Sequence, residues 1–351
     1  MVRRQSQFQS LIVVLVIVGV LVGVLSVWKT KSRRGIAVPE GEIPASPERT
    51  MILAFSGSDI QETLSGLRGE MREHIDVLAP HWLRFDGSGK LTRTIFSEEV
   101  VREAHSQGIR VWPLVAYDGP YGRSAGCPPV FCEENTAFRL ADRLSTWVTE
   151  RGVDGLVLDV EYLSVEVKPH LVAFTADLNR LLKRHGRQLW VAVFPQVDFP
   201  EEYAGLHSLA DLATASDGVV LMTYDKHGPN TGPGPVAPFM WVSQNAAAAL
   251  EQVPAEKLLL GLPAYGYVWH EYKTGWRTEV LPARRMGMSA EQGGADGEHS
   301  TVSGGDAWWD GTTAGRYKAL LASELQLAGV AVWRHGLASA DLWPHLRQVL
   351  D

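Results

Sequence analysis

The sequence lacks the residues that several common kinds of active site require. Only two cysteines occur in 351 residues, and a zinc site would need more ligands at suitable spacing. The 11 histidines form no H-E-x-x-H pair, and neither a G-x-S-x-G nucleophile turn nor a G-x-x-x-x-G-K-[ST] phosphate loop is present. We therefore expect neither a metal nor a cofactor.

The two cysteines, Cys127 and Cys132, lie five residues apart in a proline-containing loop after the third predicted strand. A short-range disulfide between them would suit an exported protein. Two separate reduced thiols are the alternative.

Positive charge is concentrated in the first 34 residues. This segment holds six Lys and Arg and no acid, so the remainder is more negative than the net −7 of the whole chain. A basic segment suits anionic lipid headgroups. The acidic remainder lacks the basic face that a nucleic-acid partner requires, so we expect no nucleic acid as a partner.

Residues 11–28 form the longest apolar run, dominated by Val, Leu and Ile. These residues span about 27 Å as a helix, just enough for a bilayer core. A cleaved signal peptide, the alternative, would have a shorter apolar region and a small-residue cleavage site. We predict a single transmembrane helix in a signal anchor over residues 1–34, which contacts membrane lipid through residues 11–28. Residues 35–49, rich in Pro, Glu and Gly, are predicted to be a linker.

Two signals disagree about the side of the membrane on which residues 50–351, the body of the protein, lie. Four basic residues follow the apolar run and two precede it, which favours a cytoplasmic body. The two cysteines favour export, because a disulfide between them would require an oxidising compartment. We expect a membrane-anchored protein whose catalytic domain is extracytoplasmic, at the cell envelope.

From residue 50 onward, short apolar runs alternate with helical patterns. Eight strands with helical crossovers predict a parallel sheet closed into a (β/α)8 TIM barrel over residues 50–351. An open doubly wound sheet is the alternative, but no G-x-G-x-x-G follows the first strand. The Gly-rich stretch over about 270–306 is predicted to be a loop or small insertion. The predicted strands cover residues 51–55, 75–82, 109–117, 155–161, 189–195, 218–224, 258–265 and 329–333.

Two carboxylates end the fourth predicted strand. Side chains alternate along a strand, which places Leu156, Leu158 and Val160 against the helices. Asp159 and Glu161 then point into the barrel at its C-terminal end, where barrel enzymes carry their catalytic groups. Like charge and partial burial raise the pKa of one member of such a pair, which yields an acid that stays protonated near neutral pH. A buried pair satisfied by neighbouring polar groups is the structural alternative.

This strand resembles the D-G-x-D-x-D-x-E motif of glycoside hydrolase family 18, the chitinase-like enzymes. Here the motif runs from Asp154 to Glu161, and Val157 replaces its first inner Asp. The resemblance is strongest to bacterial spore cortex-lytic N-acetylglucosaminidases and to the family-18 modules fused to polysaccharide deacetylases. Further matching segments are residues 80–83, 221–225, 232–237, 261–267 and 329–336.

The resemblance implies a retaining glycosidase in which the substrate's own acetamide is the nucleophile. Glu161 would be the acid that protonates the leaving oxygen, Asp159 would orient the acetamide, and Tyr224 would donate to its carbonyl. The substrate would be a β-1,4-linked N-acetylglucosamine-containing glycan, either peptidoglycan-like or chitin-like. The residues expected to bind it are Asp225, Met222, Trp333, Tyr265, Tyr267 and Trp82.

A different class of function is kept open by Val157. A valine supplies no hydrogen bond to the neighbouring acid, and family-18 folds with altered motifs can serve as lectins. The alternative is therefore a catalytically weak or inactive glycan-binding protein at the envelope. The presence of Asp159, Glu161 and Tyr224 argues for the enzyme, since a lectin does not need the acid.

Overall fold

A computed structural model describes residues 50–119, 126–273, 275–286 and 294–351. The predicted signal anchor, residues 1–34, and the linker, residues 35–49, lie outside the described residues. Among the helices that are described, none has both the length and the apolar character needed to cross a bilayer.

The described strands belong to a parallel barrel, to which β3 adds antiparallel beside β2, and to a smaller antiparallel sheet. The strands are β1 (Met51–Ser56), β2 (Val77–Phe85), β3 (Leu91–Thr94), β4 (Arg110–Val111), β5 (Leu114–Tyr117), β6 (Gly155–Asp159), β7 (Gln188–Val193), β8 (Gly218–Leu221), β9 (Leu258–Pro263), β10 (Tyr265–Tyr272), β11 (Gly275–Pro282), β12 (Glu298–Val302), β13 (Gly305–Trp309) and β14 (Gly329–Trp333).

Eight parallel strands, which we call the staves of the barrel, close into a ring. Strand β1 pairs with β2, the pairing continues through β5, β6, β7, β8 and β9 to β14, and β14 pairs with β1. The short β4 extends the third stave, because it pairs with β2 on the N-terminal side of β5. The predicted (β/α)8 barrel is therefore confirmed.

Helices connect the staves and cover the outside of the barrel. Helix α1 is capped by Asp59, whose Oδ1 accepts the backbone N–H groups of Gln61 and Glu62. Helix α4 ends at Gly152, which adopts φ 65°. The helices are α1 (Ile60–Arg68), α2 (Glu98–Ser106), α3 (Pro129–Cys132), α4 (Glu134–Arg151), α5 (Lys168–Lys183), α6 (Glu201–Ala204), α7 (Leu209–Ala215), α8 (Phe239–Leu250), α9 (Thr312–Glu324) and α10 (Leu342–Leu350).

Two apolar layers follow from the alternation of side chains along the staves. Leu156, Leu158 and Val160 belong to the large core between the barrel and the helices. Val157 belongs to a smaller cluster inside the barrel, where Trp112 and Trp190 stack with ring centroids 5.9 Å apart. The barrel interior is thus filled with apolar side chains below its C-terminal end.

The segment between the last two staves is an insertion with regular secondary structure, which is one of the two predicted alternatives. In place of a loop over 270–306, strands β10 to β13 form a four-stranded antiparallel sheet in the order β11-β10-β13-β12. Ser303 and Gly304 both have positive φ at the turn between β12 and β13, as a two-residue hairpin requires. Much of β11 and β12 is exposed, so these strands lack the apolar alternation that would have revealed them.

Candidate active site

A cavity of about 270 Å³ opens at the C-terminal ends of the barrel strands. Seven of the nine predicted site residues line it, although they come from strands far apart in the sequence. The cavity is lined by His81, Arg84, Ala116, Tyr117, Asp159, Glu161, Tyr162, Phe194, Phe199, Met222, Tyr224, Asp225, Tyr265 and Trp333.

Asp159 and Glu161 lie together at the centre of this cavity. Asp159 is the last residue of β6 and Glu161 follows two residues later, so both carboxyl groups leave the strand on its inner side. Both residues are half-buried, and their carboxyl groups share a hydrogen bond. The pair is thus enclosed by neighbouring side chains yet reached from the cavity.

The two acids ionise at different pH. Burial raises the pKa of Asp159 to about 6, and this rise is opposed by its hydrogen bond with Glu161 and by the charge of Arg84. Burial raises the pKa of Glu161 well above its ordinary value, and the nearby charges of Asp159 and Asp225 raise it further. Because their hydrogen bond lowers the pKa of Asp159 and raises that of Glu161, Glu161 is the donor in this bond and the Asp159 carboxylate is the acceptor.

Val157 is the apolar residue on β6 below the carboxyl pair. It is fully buried inside the barrel, one inward position below Asp159. The buried Oδ1 of Asp159 has no hydrogen-bond partner among the described residues, because the valine side chain beneath it carries no donor. The departure from the family motif therefore has a direct structural consequence for this carboxylate.

Tyr224 and Asp225 follow β8 and close the opposite side of the cavity. Asp225 adopts φ 59°, a conformation that Asp tolerates better than most residues. Its Oδ1 accepts hydrogen bonds from the hydroxyls of Tyr265 at 2.7 Å and Tyr267 at 2.9 Å. Burial raises the pKa of Tyr224 well above its ordinary value, as do the charges of Glu161 and Asp159, so its hydroxyl remains a proton donor.

Apolar and aromatic side chains complete the cavity. Trp333, the last residue of β14, packs against Phe55 with ring centroids 5.2 Å apart. Met222 is buried beside Phe194 and contributes to the cavity wall. Tyr267 does not line the cavity and acts from behind it, through its bond to Asp225.

Trp82, the other predicted site residue that does not line the cavity, lies in the core. It is 1% exposed and packs edge-on against Phe96 in the core between barrel and helices, which corrects its assignment to the cleft. The register of β2 against β5 shifts between His81 and Leu83. This bulge turns Trp82 and Leu83 to the helices and leaves His81 and Arg84 facing the cavity.

Sequence analysis missed several residues that line the cavity. Tyr117 and Phe194 stand at or just after the C-terminal ends of β5 and β7, so the rule that located Glu161 could also have found them. Tyr162 is 39% exposed, adopts φ 58° and packs edge-on against Tyr203 at 5.1 Å. No pattern in the sequence signals that left-handed turn at a tyrosine.

The first acid of the motif, Asp154, lies at the opposite end of the barrel. Its Oδ2 accepts the backbone N–H of Val111 at 2.8 Å and lies 2.8 Å from Nε2 of His105. These contacts join neighbouring staves. A structural role suits this position, since the N-terminal end of a barrel supports stability and not chemistry.

The two cysteines are joined in a disulfide. Among the described residues, Cys127, Cys132 and His170 are a group of possible metal ligands whose ligand atoms lie within 4.8 Å of one another. Both sulfur atoms of this group are already joined in the disulfide. This group lies outside the residues that line the catalytic cavity.

Comparison with known proteins places this geometry in a family. Residues 124–337 match the model of "Glycosyl hydrolases family 18". An uncharacterized glycosylase, YvbX, of Bacillus subtilis (strain 168) is 22% identical over 293 residues, which cover 78% of this chain and 85% of that protein.

Two solved structures share the fold. The spore cortex-lytic enzyme SleL of Bacillus megaterium QM B1551 aligns with a TM-score of 0.74 at 18% identity, over 91% of this chain and 79% of that one. The C-terminal domain of a putative chitinase from Desulfitobacterium hafniense DCB-2 gives 0.73 at 22% identity, over 87% and 100%. With the matched family model covering more than half of the sequence, the chain belongs to glycoside hydrolase family 18 and is a glycosidase.

Proposed function

We propose that this glycosidase cleaves β-1,4-linked N-acetylglucosamine-containing glycans by a substrate-assisted, retaining mechanism. The observation that carries the proposal is the carboxyl pair of Asp159 and Glu161, which shares one proton and opens into a cavity at the barrel end. A cortex-lytic enzyme and a putative chitinase among the structural neighbours support an aminosugar glycan as substrate.

In the first step the acetamide oxygen of the substrate attacks C1. The bond from C1 to the glycosidic oxygen breaks, and Glu161 transfers its proton to that oxygen, which leaves as an alcohol. Asp159 accepts the acetamide N–H and stabilises the positive charge of the oxazolinium that forms. No enzyme nucleophile is required.

In the second step water opens the oxazolinium. Glu161, now ionised, takes a proton from the water as its oxygen bonds to C1, which restores the acid and retains the configuration. The neutral hydroxyl of Tyr224 donates to the acetamide carbonyl, and Asp225 contacts the same sugar. The indole of Trp333 supplies an apolar surface for the sugar ring.

The test is the variant Glu161→Gln, which keeps the shape of the side chain and removes its proton-donating acid. We expect turnover to fall by about 10²- to 10⁴-fold while oligosaccharide binding is retained. The matched control is Glu298→Gln, because Glu298 is also a buried glutamate, with a pKa that burial raises to about 7, but it lies outside the cavity. Wild-type turnover by Glu161→Gln would contradict the mechanism.

A second candidate function is glycan binding without efficient turnover. Val157 favours it, because the Oδ1 of Asp159 lacks a donor among the described residues and the acid that holds the acetamide is less well fixed. Mass spectrometry of products after incubation with chitooligosaccharides and with peptidoglycan fragments separates the two. Intact glycan together with measurable binding would establish the second candidate.

We also propose that residues 11–28 anchor the protein in a membrane and that the barrel lies on the extracytoplasmic side. The apolar run supports the anchor, and the disulfide supports an oxidising compartment. Protease added to intact cells and to lysed cells tests the topology. Digestion of the barrel only after lysis would place it in the cytoplasm and refute this proposal.

A further inference from the structure

One arginine, Arg84, lines the cavity that holds the acidic pair. Arg84 lines the cavity because of the bulge in β2. Its Nη1 lies 3.1 Å from Oδ1 of Asp118, and its Nε donates to Nε2 of His81 at 3.2 Å. His81 thus serves as an acceptor and adds no positive charge of its own.

Two further guanidinium groups stand close to His81. Burial and the charges of Arg84, Arg93 and Arg334 lower the pKa of His81 to about 4. Arg334 follows Trp333 in sequence, and its Nη1 lies 3.3 Å from Oε2 of Glu62. We call Arg84, Arg93 and Arg334 the arginine cluster.

Ion pairs among the described residues involve two of the three arginines of the cluster. Arg84 is paired with Asp118 and Arg334 with Glu62, whereas Arg93 has no ion-pair partner among the residues that the structure describes. Arg93 is exposed and stands directly opposite Arg84 in the antiparallel pairing of β3 with β2. Like charges at such positions repel each other unless an anion lies between them.

The chemistry of this cluster selects a particular ligand. A guanidinium group binds a carboxylate through two parallel hydrogen bonds, and its planar fork suits that ion better than it suits a hydroxyl group. An uncharged N-acetylglucosamine chain offers hydroxyl groups and amides only. A glycan that carries a carboxylate would be bound beside the same cavity in which Asp159 and Glu161 act.

We propose that Arg84 and Arg93 form a carboxylate-binding subsite at the edge of the catalytic cavity, which makes the enzyme prefer glycans with carboxylate-bearing substituents over neutral ones. The substrate class is then peptidoglycan-like and not chitin-like. This inference rests on the proposed function, because it assumes that a glycan occupies the cavity. The carboxylate belongs either to an acidic ether on a sugar or to a peptide attached to it.

The experiment measures binding apart from turnover. The full chain in detergent, carrying Glu161→Gln, is titrated by calorimetry with three probes: a neutral chitooligosaccharide, a peptide-free peptidoglycan glycan with free carboxylates, and the same glycan with its carboxylates converted to methylamides. We expect the free acid to bind about tenfold more tightly than the methylamide, which corresponds to about 1.4 kcal/mol. A fourth probe that retains the peptides shows which of the two carboxylate sources is bound.

The variant Arg93→Gln should remove this preference and leave binding of the neutral chain unchanged. Arg93 is the better residue to change, because Arg84 also lowers the pKa of Asp159. Arg93→Lys keeps the charge without the fork and should restore part of the preference. The matched control is Arg180→Gln, which removes an arginine paired with Asp177 on helix α5, outside the cavity.

The outcomes separate the two proposals. Equal affinity for the free acid and the methylamide would overturn the subsite, as would a preference that survives in Arg84→Gln/Arg93→Gln. Failure of the proposed function is a different result, in which the enzyme with Glu161 intact hydrolyses neither the neutral nor the acidic glycan. A preference for the acid in the binding assay supports the subsite in either case.

Discussion

Val157→Asn tests how the residue below Asp159 controls the carboxyl pair that we propose to be catalytic. Position 157 is the inward neighbour of Asp159 on β6, and the Oδ1 of Asp159 has no donor among the described residues. An asparagine amide at this position would donate to that oxygen. A hydrogen bond to an ionised group is worth about 1.5–3 kcal/mol, and one pKa unit corresponds to about 1.4 kcal/mol.

The sign follows from which form of the acid the bond favours. The amide N–H stabilises the charged carboxylate, so it lowers the pKa of Asp159 from its value of about 6. Because the mechanism needs Asp159 ionised, the acid limb of the pH–rate profile should move down by about one pH unit. At pH 5 the ionised fraction, and with it kcat, should then rise about fivefold.

The control is Val77→Asn, which also buries an amide inside the barrel. Val77 is fully buried in the same cluster, but it lies four residues before His81, and His81 is level with Leu114, the register partner of Val157. The amide at 77 is therefore far below Asp159, and it should cost about 1–3 kcal/mol of stability without moving the acid limb. Initial rates of chitobioside hydrolysis at a series of pH values locate the acid limb, and urea unfolding measures the stability. An acid limb in Val157→Asn that coincides with wild type would refute the reasoning.

Three further variants probe other parts of the molecule. Tyr224→Phe removes the donor to the acetamide carbonyl, so kcat should fall about 10²-fold with an unchanged melting temperature, and a wild-type kcat would exclude that role. Lys318→Met leaves the carboxylate of Asp310 buried without its ion-pair partner and should cost about 3–5 kcal/mol in urea unfolding, part of which Asp310→Asn should restore in the double variant. Trp82→Ala should cost about 3–5 kcal/mol of stability with KM unchanged, and a raised KM in a stable variant would return this residue to the cleft.

The sequence predicted where the carboxyl pair lies because its signals are local. Alternation along a single strand was sufficient to place Val157, Asp159 and Glu161 on the inner side of the barrel, and the C-terminal position of the acids marked the functional end. The structure brings these residues together with Tyr224 and Trp333, as the order of the strands requires. Hydrophobic runs likewise placed the eight staves, since each is buried on both faces.

The position of Arg84 in the cavity wall could not be predicted in the same way. Its position depends on a register shift in β2, and such a shift is fixed by the pairing with β5 and not by the residues of β2 alone. A strand without the bulge would place a different set of side chains toward the sugar. The antiparallel sheet of β10 to β13 escaped prediction for a related reason, because its exposed outer strands are specified by their neighbours and turns.

The stacked indoles of Trp112 and Trp190 close the barrel below the carboxyl pair. This apolar layer separates the pair from the N-terminal end of the barrel, whereas Glu161 lines the cavity at the C-terminal end. In the proposed mechanism, a sugar that fills the cavity shields the pair from bulk solvent, so the proton of Glu161 passes either to the Asp159 carboxylate or to the glycosidic oxygen. If Glu161 acts as proposed, this apolar layer keeps proton transfer on the substrate side of the barrel, although none of its atoms takes part in the reaction.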